Sequence, residues 1–193
     1  MTEAAPTSHD HRHFAELYET HDDPWGFETS WYEHRKYDLT LASLPRSRYR
    51  RGLEPGCANG ALTQRLAGRC DHLDAYDLVA DAVARATRRL RHLPHVTVTR
   101  ARFPRHQPAG TGDLLVWSEV GYYLTDAGLD VASAGLDRWL EPGGTVVAVH
   151  YTGATDYPRT AESVHDWLDT FTFLVPAVRL DDEQFQLRVW TRR

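Results

Sequence analysis

Apolar residues with helical spacing form the first pattern along the chain. From Phe14 onward they recur at intervals of three and four residues, which predicts a short helix over residues 10–22. A second amphipathic helix is predicted over residues 30–44, because the proline that follows cannot continue it. The predicted units of this part are a disordered leader over 1–9 and a helical cap over 10–45.

After residue 50 the pattern changes to alternating strands and helices. Strands are predicted over residues 52–55, 73–77, 95–99, 113–117, 145–151, 173–180 and 183–191. Helices are predicted over 59–68, 79–93, 126–140 and 160–171, and a Pro-Gly-Gly turn over 142–144 closes the third of them. This alternation is typical of a doubly wound, mostly parallel α/β sheet with helices on both faces. Only two residues separate the last two strands, so we expect them to form an antiparallel hairpin at one edge.

Composition narrows the class of protein. The 193 residues carry 22 basic and 27 acidic side chains, whereas nucleic-acid binders usually show a basic excess. No stretch approaches the ~18 apolar residues of a membrane span, and the first residues lack the apolar run of a signal peptide. Two cysteines, Cys57 and Cys70, are too few for a disulfide scaffold or a zinc site. We therefore expect one cytoplasmic domain over 10–193, without a nucleic-acid, membrane or metal partner.

The stretch between the first predicted strand and the helix after it carries the clearest chemistry. Glu54, Gly56 and Gly60 lie in this turn, where glycines allow the backbone to bend tightly and approach a ligand. A tight turn without any ligand would also explain the glycines. Asp77 ends the second strand, where a carboxylate accepts hydrogen bonds from ribose hydroxyls or caps the next helix. Turn and acid together favour a nucleoside ligand.

These positions resemble the motifs of class I S-adenosylmethionine-dependent methyltransferases. Residues 54–60 are similar to the first motif of that class, with Ala58 in place of the middle glycine. Asp77, Asp113 and residues 142–144 are similar to the later motifs in order and spacing. The resemblance implies a Rossmann-like methyltransferase fold that binds S-adenosylmethionine and releases S-adenosylhomocysteine.

A narrower resemblance is to the nodulation protein S (NodS-like) group of small N-methyltransferases, over about residues 12–192. The segments that carry it are residues 23–27, 30–33, 36–37, 53–57, 118–124, 150–151 and 155–158. It implies methyl transfer to an amine of a small acceptor, such as an amino sugar or a natural-product intermediate.

The resemblance also implies which side chains form the site. The expected cofactor-binding residues are Trp25, Tyr32, Lys36, Glu54, Gly56, Cys57, Ala58, Gly60, Asp77, Leu78, Arg102, Phe103, Ser118 and Glu119. The expected acceptor-binding residues are Tyr122, Tyr123, His150 and Tyr157. Aromatic faces attract sulfonium and ammonium cations, and a cap that closes over the site would exclude water.

Methyl transfer from a sulfonium needs alignment above all, since the methyl group is already activated. What the protein can add is the removal of a proton from the attacking amine or hydroxyl. His150 ends the fifth strand, and an unperturbed imidazole is a suitable base at neutral pH, so we take it as the first candidate. A histidine that only packs against Tyr151 is the alternative. Glu119 is the second candidate, and a buried carboxylate at that position needs a cationic partner.

Other functions share part of this pattern. A nicotinamide-dependent dehydrogenase has the same turn and acid but expects a third glycine in the turn. An O-methyltransferase would show the same residues as an N-methyltransferase. A non-catalytic protein on the same fold is a further alternative, since fold does not fix function, but the intact Glu54, Gly56, Gly60 and Asp77 argue against it. The expected partner is a small-molecule acceptor, and the expected assembly is a monomer or weak homodimer.

Overall fold

The computed structural model describes residues 11–20 and 23–193, so the predicted leader over 1–9 lies outside the described residues. The helices are α1 (His11–Thr20), α2 (Trp31–Ser43), α3 (Ala61–Leu66), α4 (Ala80–Leu90), α5 (Asp126–Trp139) and α6 (Ala161–Asp169). The strands are β1 (Tyr49–Pro55), β2 (Cys70–Asp77), β3 (Val96–Arg100), β4 (Gly112–Ser118), β5 (Leu140–Tyr151), β6 (Leu174–Asp181) and β7 (Phe185–Arg192). Two short 3-10 turns, Ala67–Arg69 and Gly121–Tyr123, follow α3 and β4.

The seven strands form one sheet in the order β3-β2-β1-β4-β5-β7-β6. Neighbours from β3 to β5 are parallel, whereas β7 runs antiparallel to both β5 and β6. The predicted doubly wound fold and the antiparallel hairpin at one edge are therefore confirmed. The direction of winding reverses between β1 and β4, and ligands of such folds bind beyond the carboxyl ends of the strands at this point.

Strand β4 shows why the predicted strands are so apolar. Leu114 and Val116 pack into the core on one face of the sheet, and Leu115 and Trp117 pack into the core on the other. Successive side chains of a strand point to opposite faces, so a central strand covered on both faces needs apolar residues at every position.

Local sequence also explains the helices. The buried side of α4 consists of Ala82, Ala86 and Leu90, spaced four residues apart, while Arg88 is exposed. Helix α5 begins after Thr125, whose hydroxyl accepts a hydrogen bond from the Gly128 amide. Both helices cover the sheet close to their predicted bounds.

The predicted Pro-Gly-Gly turn lies inside β5 rather than before it. Gly112 pairs with Leu140 and Leu114 pairs with Thr145, so residues 141–144 bulge out of the ladder opposite a single residue of β4. The glycine turn was predicted correctly, but β5 begins before this turn, at Leu140, and not after it.

Asp113 lies opposite that bulge, at the amino end of β4. Its carboxylate accepts hydrogen bonds from the backbone amides of Arg50 and Arg51 at 3.1 and 2.8 Å, and from the Arg46 guanidinium at 2.7 Å. This motif residue therefore fastens β1 to β4 at the edge of the sheet away from the carboxyl ends of the strands.

Three general properties concern the described residues alone. None of their helices has both the length and the apolar character that crossing a lipid bilayer requires. No group of three or more potential metal ligands occurs among them. Cys57 and Cys70 are both buried, free thiols.

Candidate functional site

A cavity of about 520 Å³ opens at the carboxyl ends of the parallel strands. Small-molecule sites usually enclose ~300–1,000 Å³, so the volume suits a ligand of that class. The wall is built from α1, α2, the loops after β1 to β4, and the segment that follows β5. The cavity is therefore at the position that the reversal of winding predicts.

The loop after β1 adopts an unusual backbone. Gly56 and Gly60 have φ angles of +75° and +79°, and Ala58 between them has φ +50°. A Cβ atom at Gly56 would come within 2.3 Å of Val120 Cγ2, so only glycine allows this turn to approach the loop after β4. At Ala58 the left-handed backbone costs roughly 1–2 kcal/mol, and strain of this kind is concentrated at functional sites.

Asp77, at the end of β2, holds this turn in place. One carboxylate oxygen accepts the Ala58 amide at 2.9 Å, and the other accepts the Val79 amide at the start of α4, also at 2.9 Å. Asp77 thus supports both the turn and the helix while it lines the cavity together with Leu78. Within the part of the chain that the structure describes, the buried Tyr18 hydroxyl has no hydrogen-bond partner. Burial, followed by the Asp77 charge, raises its pKa. A hydroxyl-bearing ligand would satisfy such a group.

Glu119 follows β4 and also has a left-handed backbone, with φ +56°. Its Oε1 atom lies 2.7 Å from Lys36 Nζ, and its Oε2 atom accepts the Tyr122 hydroxyl at 2.5 Å and the Tyr151 amide at 3.0 Å. Lys36 Nζ also lies 2.9 Å from Glu33 Oε1. The expected cationic partner of Glu119 is therefore Lys36, which was itself expected as a ligand contact.

Burial makes these charges interdependent. Lys36 is 1% exposed and Glu33 is 5% exposed. Burial alone would lower the pKa of Lys36, but the neighbouring Glu119 and Glu33 carboxylates raise it above its usual value. Burial raises the pKa of Glu33, and Lys36 opposes that shift. The lysine is consequently held in its charged form.

His150, the first candidate for the general base, lies in the core and outside the lining of the cavity. Its Nε2 atom accepts the Gly121 amide at 3.0 Å, so the ring proton is on Nδ1, which lies 3.0 Å from His165 Nε2. The side chain is fully buried, and burial followed by the Lys36 charge lowers its pKa to about 3. With both nitrogens occupied inside the core, His150 instead supports the turn that carries Tyr122.

Three tyrosines form an aromatic wall on the side of the cavity next to Glu119. The Tyr122 and Tyr157 rings are stacked with centroids 4.8 Å apart, and Tyr123 packs edge-on against both at 4.8 and 4.5 Å. Phe14 of α1 contacts Tyr123 at 5.1 Å. This wall lies next to Glu119, because Tyr122 is also its hydrogen-bond donor.

Most of the residues predicted for the site line this cavity. They are Trp25, Tyr32, Lys36, Gly56, Ala58, Asp77, Leu78, Phe103, Ser118, Glu119, Tyr122, Tyr123 and Tyr157. The predicted residues outside the lining are Glu54, Cys57, Gly60, Arg102 and His150. Glu54 lies beneath the turn, where burial raises its pKa to about 8, and Gly60 packs against Ala86 of α4.

The cavity also has wall residues that the sequence analysis did not include. They are Phe14, Tyr18, Phe27, Glu33, Val79, Ala101, Val120, Tyr151, Ala154 and Thr155. Glu33 is the most important of them for the chemistry. Its spacing of three residues before Lys36 on one helix was a signal that an ion pair forms there.

Comparison with known proteins agrees with this geometry. The family model for nodulation protein S (NodS) matches residues 8–148. Nodulation protein S of Rhizobium tropici is 34% identical over 161 residues, which is 76% of this chain and 68% of that protein. The crystal structure of N-methyltransferase NodS from Bradyrhizobium japonicum WM9, in complex with S-adenosyl-L-homocysteine, superposes with a TM-score of 0.85. It is 28% identical and covers 95% of this chain and 99% of its own.

A second solved structure is more similar in sequence. A putative methyltransferase from Pseudomonas syringae is 42% identical, with a TM-score of 0.72, and covers 84% of this chain and 100% of its own.

Proposed function

The chain belongs to the nodulation protein S family of S-adenosylmethionine-dependent methyltransferases, and we propose that it methylates an amine nitrogen of a small acceptor, such as an amino sugar or natural-product intermediate. The proposal rests on the observation that two features line the same cavity. The strained Gly56–Gly60 turn with Asp77 lies on one side of it, and Glu119 with the tyrosine wall lies on the other.

The residues on the first side suit the nucleoside part of S-adenosylmethionine. Asp77 would hold the ribose hydroxyls, the buried Tyr18 hydroxyl would gain a partner, and Leu78 and Phe103 would contact the adenine ring. The turn at Gly56 would lie beneath the methionine part, where only a small side chain allows close approach. When bound, the cofactor supplies a methyl group on a positive sulfur, so the N–C bond forms as the C–S bond breaks and its electrons remain on sulfur.

The residues on the second side orient the acceptor. A protonated amine must lose a proton before its lone pair is available to attack. Glu119 replaces His150 as the candidate proton acceptor, because its carboxylate lines the cavity and is fixed by Lys36, Tyr122 and the Tyr151 amide. Alignment within the aromatic walls of the cavity supplies the rest of the rate enhancement.

We place the enzyme in the cytoplasm as a monomer or weak homodimer. Two free buried thiols, Cys57 and Cys70, are in keeping with a reducing compartment. Size-exclusion chromatography with light scattering would test the assembly.

Calorimetry and a methylation screen test the activity. We expect the protein to bind S-adenosylhomocysteine and not NAD. With S-adenosylmethionine, it should then add 14 mass units, about one CH₂ group net, to an amine in a panel of amino sugars and small amines. Binding of neither nucleoside would leave only a non-catalytic protein. Methylation confined to hydroxyl compounds would make the enzyme an O-methyltransferase.

A further inference from the structure

Two carboxylates and one lysine meet in the wall of the cavity. Glu33 and Lys36 come from α2, and Glu119 comes from the loop after β4. The Lys36 ammonium bridges them, at 2.9 Å from Glu33 Oε1 and 2.7 Å from Glu119 Oε1. We call these three residues the acidic cluster.

The charges of the acidic cluster do not balance. Two carboxylates and one ammonium sum to −1, and across residues 11–20 and 23–193 no second cation lies within salt-bridge distance of either carboxylate. The Tyr122 hydroxyl and the Tyr151 amide donate hydrogen bonds to Glu119 but add no charge. An uncompensated buried charge is costly, so a cation entering the cavity would be stabilised there.

Glu33 is the member of the cluster with hydrogen-bonding capacity to spare. It is 5% exposed and lines the cavity. Among residues 11–20 and 23–193, no donor meets the usual distance and angle limits at its Oε2 atom, and the contact of Tyr37 with this carboxylate is only a weak hydrogen bond. Buried carboxylate oxygens usually have a partner. If Glu33 served only to neutralise Lys36, it would be redundant, because Glu119 already does so at a shorter distance.

The cluster lies between the two sides of the site. Val120, next to Glu119, is the residue that a Cβ atom at Gly56 would strike, so the cofactor turn meets the cluster there. On the other side Glu119 contacts Tyr122 and Tyr151. A group held by the cluster is thus placed at the junction of the proposed cofactor and acceptor regions, where transfer has to occur.

We propose that Glu33, Lys36 and Glu119 form the subsite for the acceptor's positively charged amine, and that Glu33 determines the preference for amines over hydroxyl compounds. This inference rests on the proposed function. Glu33 supplies the second negative charge, and Lys36 is a positioning residue that holds both carboxylates. The nearby Tyr32 ring, with Lys36 Nζ 4.7 Å from its centroid, provides an aromatic face suited to cations. A neutral hydroxyl acceptor would gain nothing from the net charge.

The test compares two sugars that differ in one group. Glucosamine and glucose are titrated by calorimetry into the protein saturated with S-adenosylhomocysteine, at pH 7, where most of the sugar amine is protonated and the carboxylates are least affected by proton uptake. A charge-assisted hydrogen bond predicts that the natural chain binds glucosamine at least about tenfold more tightly than glucose. In Glu33→Gln, which keeps the shape but removes one charge, the preference should fall to about twofold or less. Glu119→Gln removes the same charge from the other side and should have the same effect.

Glu28→Gln is the matched control. Glu28 lies five residues from Glu33, but it is exposed and paired with Arg89. Its variant should keep the full preference.

Three results would overturn the inference: no preference for glucosamine in the natural chain, no detectable binding of either sugar, or an undiminished preference in Glu33→Gln. Binding of S-adenosylhomocysteine is read separately in the same titrations. If the natural chain fails to bind it, the proposed function is wrong as well. If it binds and the amine preference is missing, only the subsite assignment is wrong.

Discussion

Replacing Lys36 with methionine tests how strongly the acidic cluster depends on its one cation. Methionine fills nearly the same space, so the main change is two buried carboxylates without a counter-ion. Breaking a buried ion pair by removing one partner costs ~3–5 kcal/mol. Here proton uptake limits the cost, because a carboxylate that would otherwise stay charged can become neutral.

The free energy of this proton uptake follows from the ordinary pKa of a glutamate side chain, 4.5. Neutralising one such group at pH 7 costs about 3.4 kcal/mol, at ~1.36 kcal/mol per pH unit, but only about 0.7 kcal/mol at pH 5. In the variant, the folded carboxyl has a pKa above its unfolded value. The folded state then holds the extra proton, and stability falls as the pH rises. We expect Lys36→Met to lose ~3 kcal/mol of unfolding free energy at pH 7 and ~1 kcal/mol at pH 5.

Urea unfolding of the natural chain and the variant at both pH values measures this difference. The double variant Lys36→Met/Glu33→Gln removes one of the stranded charges and should recover much of the loss at pH 7. Arg35→Met is the neighbouring control, since Arg35 is an exposed partner of Asp182 and its loss should cost little at either pH. A Lys36→Met cost below about 1 kcal/mol at pH 7, or a cost independent of pH, would refute the charge argument.

Three further outcomes are expected from other parts of the site. Asp77→Ala should weaken binding of S-adenosylhomocysteine by ~1.5–3 kcal/mol in calorimetry, whereas Asp81→Ala, on the exposed side of α4, should leave it unchanged; equal affinities would remove the ribose assignment. Ala58→Gly should raise the unfolding free energy by roughly 1 kcal/mol, because φ +50° suits glycine, and a loss of stability in urea would contradict the strain. His150 and His165 have pKa values lowered to about 3 and about 2, mainly by burial. The unfolded chain therefore takes up protons first, and unfolding free energy should fall below pH 6.5 by about 1 kcal/mol per pH unit for each histidine; a flat profile between pH 6.5 and 5 would mean that these rings are not buried neutral.

Local patterns were sufficient for the fold and for one side of the site. Strand, turn and helix follow from apolar spacing and from glycine, and each of these signals lies within about ten residues of chain. The positions of Asp77 and Glu119 at strand ends were predictable for the same reason. Carboxyl ends of parallel strands meet at one edge, so the sequence order is enough to bring the two residues to one cavity.

His150 shows where such reasoning ends. A residue at the end of a strand was expected to face the ligand, but neighbouring side chains of a strand point to opposite sides, and a shift of one position reverses the outcome. Tyr151 is the residue that lines the cavity, and His150 points into the core toward α6. Nothing in the sequence indicates that His165, from that helix, would occupy the other ring nitrogen.

One contact of the acidic cluster, between Lys36 and Glu33, could also be predicted, but for a different reason. Lys36 and Glu33 are close in sequence on one helix, so their pairing was predictable. The contact of Lys36 with Glu119 spans 83 positions along the chain and depends on how α2 docks across the sheet. Tertiary docking of this kind is not expressed in any local pattern.

Because of the position of β7, the strands of the sheet cannot pair in the order in which the chain is synthesised. β7 lies between β5 and β6 and, among the described residues, is the only strand hydrogen-bonded to β6. A chain leaving the ribosome makes β5, α6 and β6 before the strand that joins them exists. Until residues 185–192 are made, β5 carries an open edge of unpaired amides and carbonyls, which is the kind of edge that invites pairing with another chain. Strand β7, which is farther along the chain from the Gly56–Gly60 turn than any other strand described above, thus completes the sheet that carries the site.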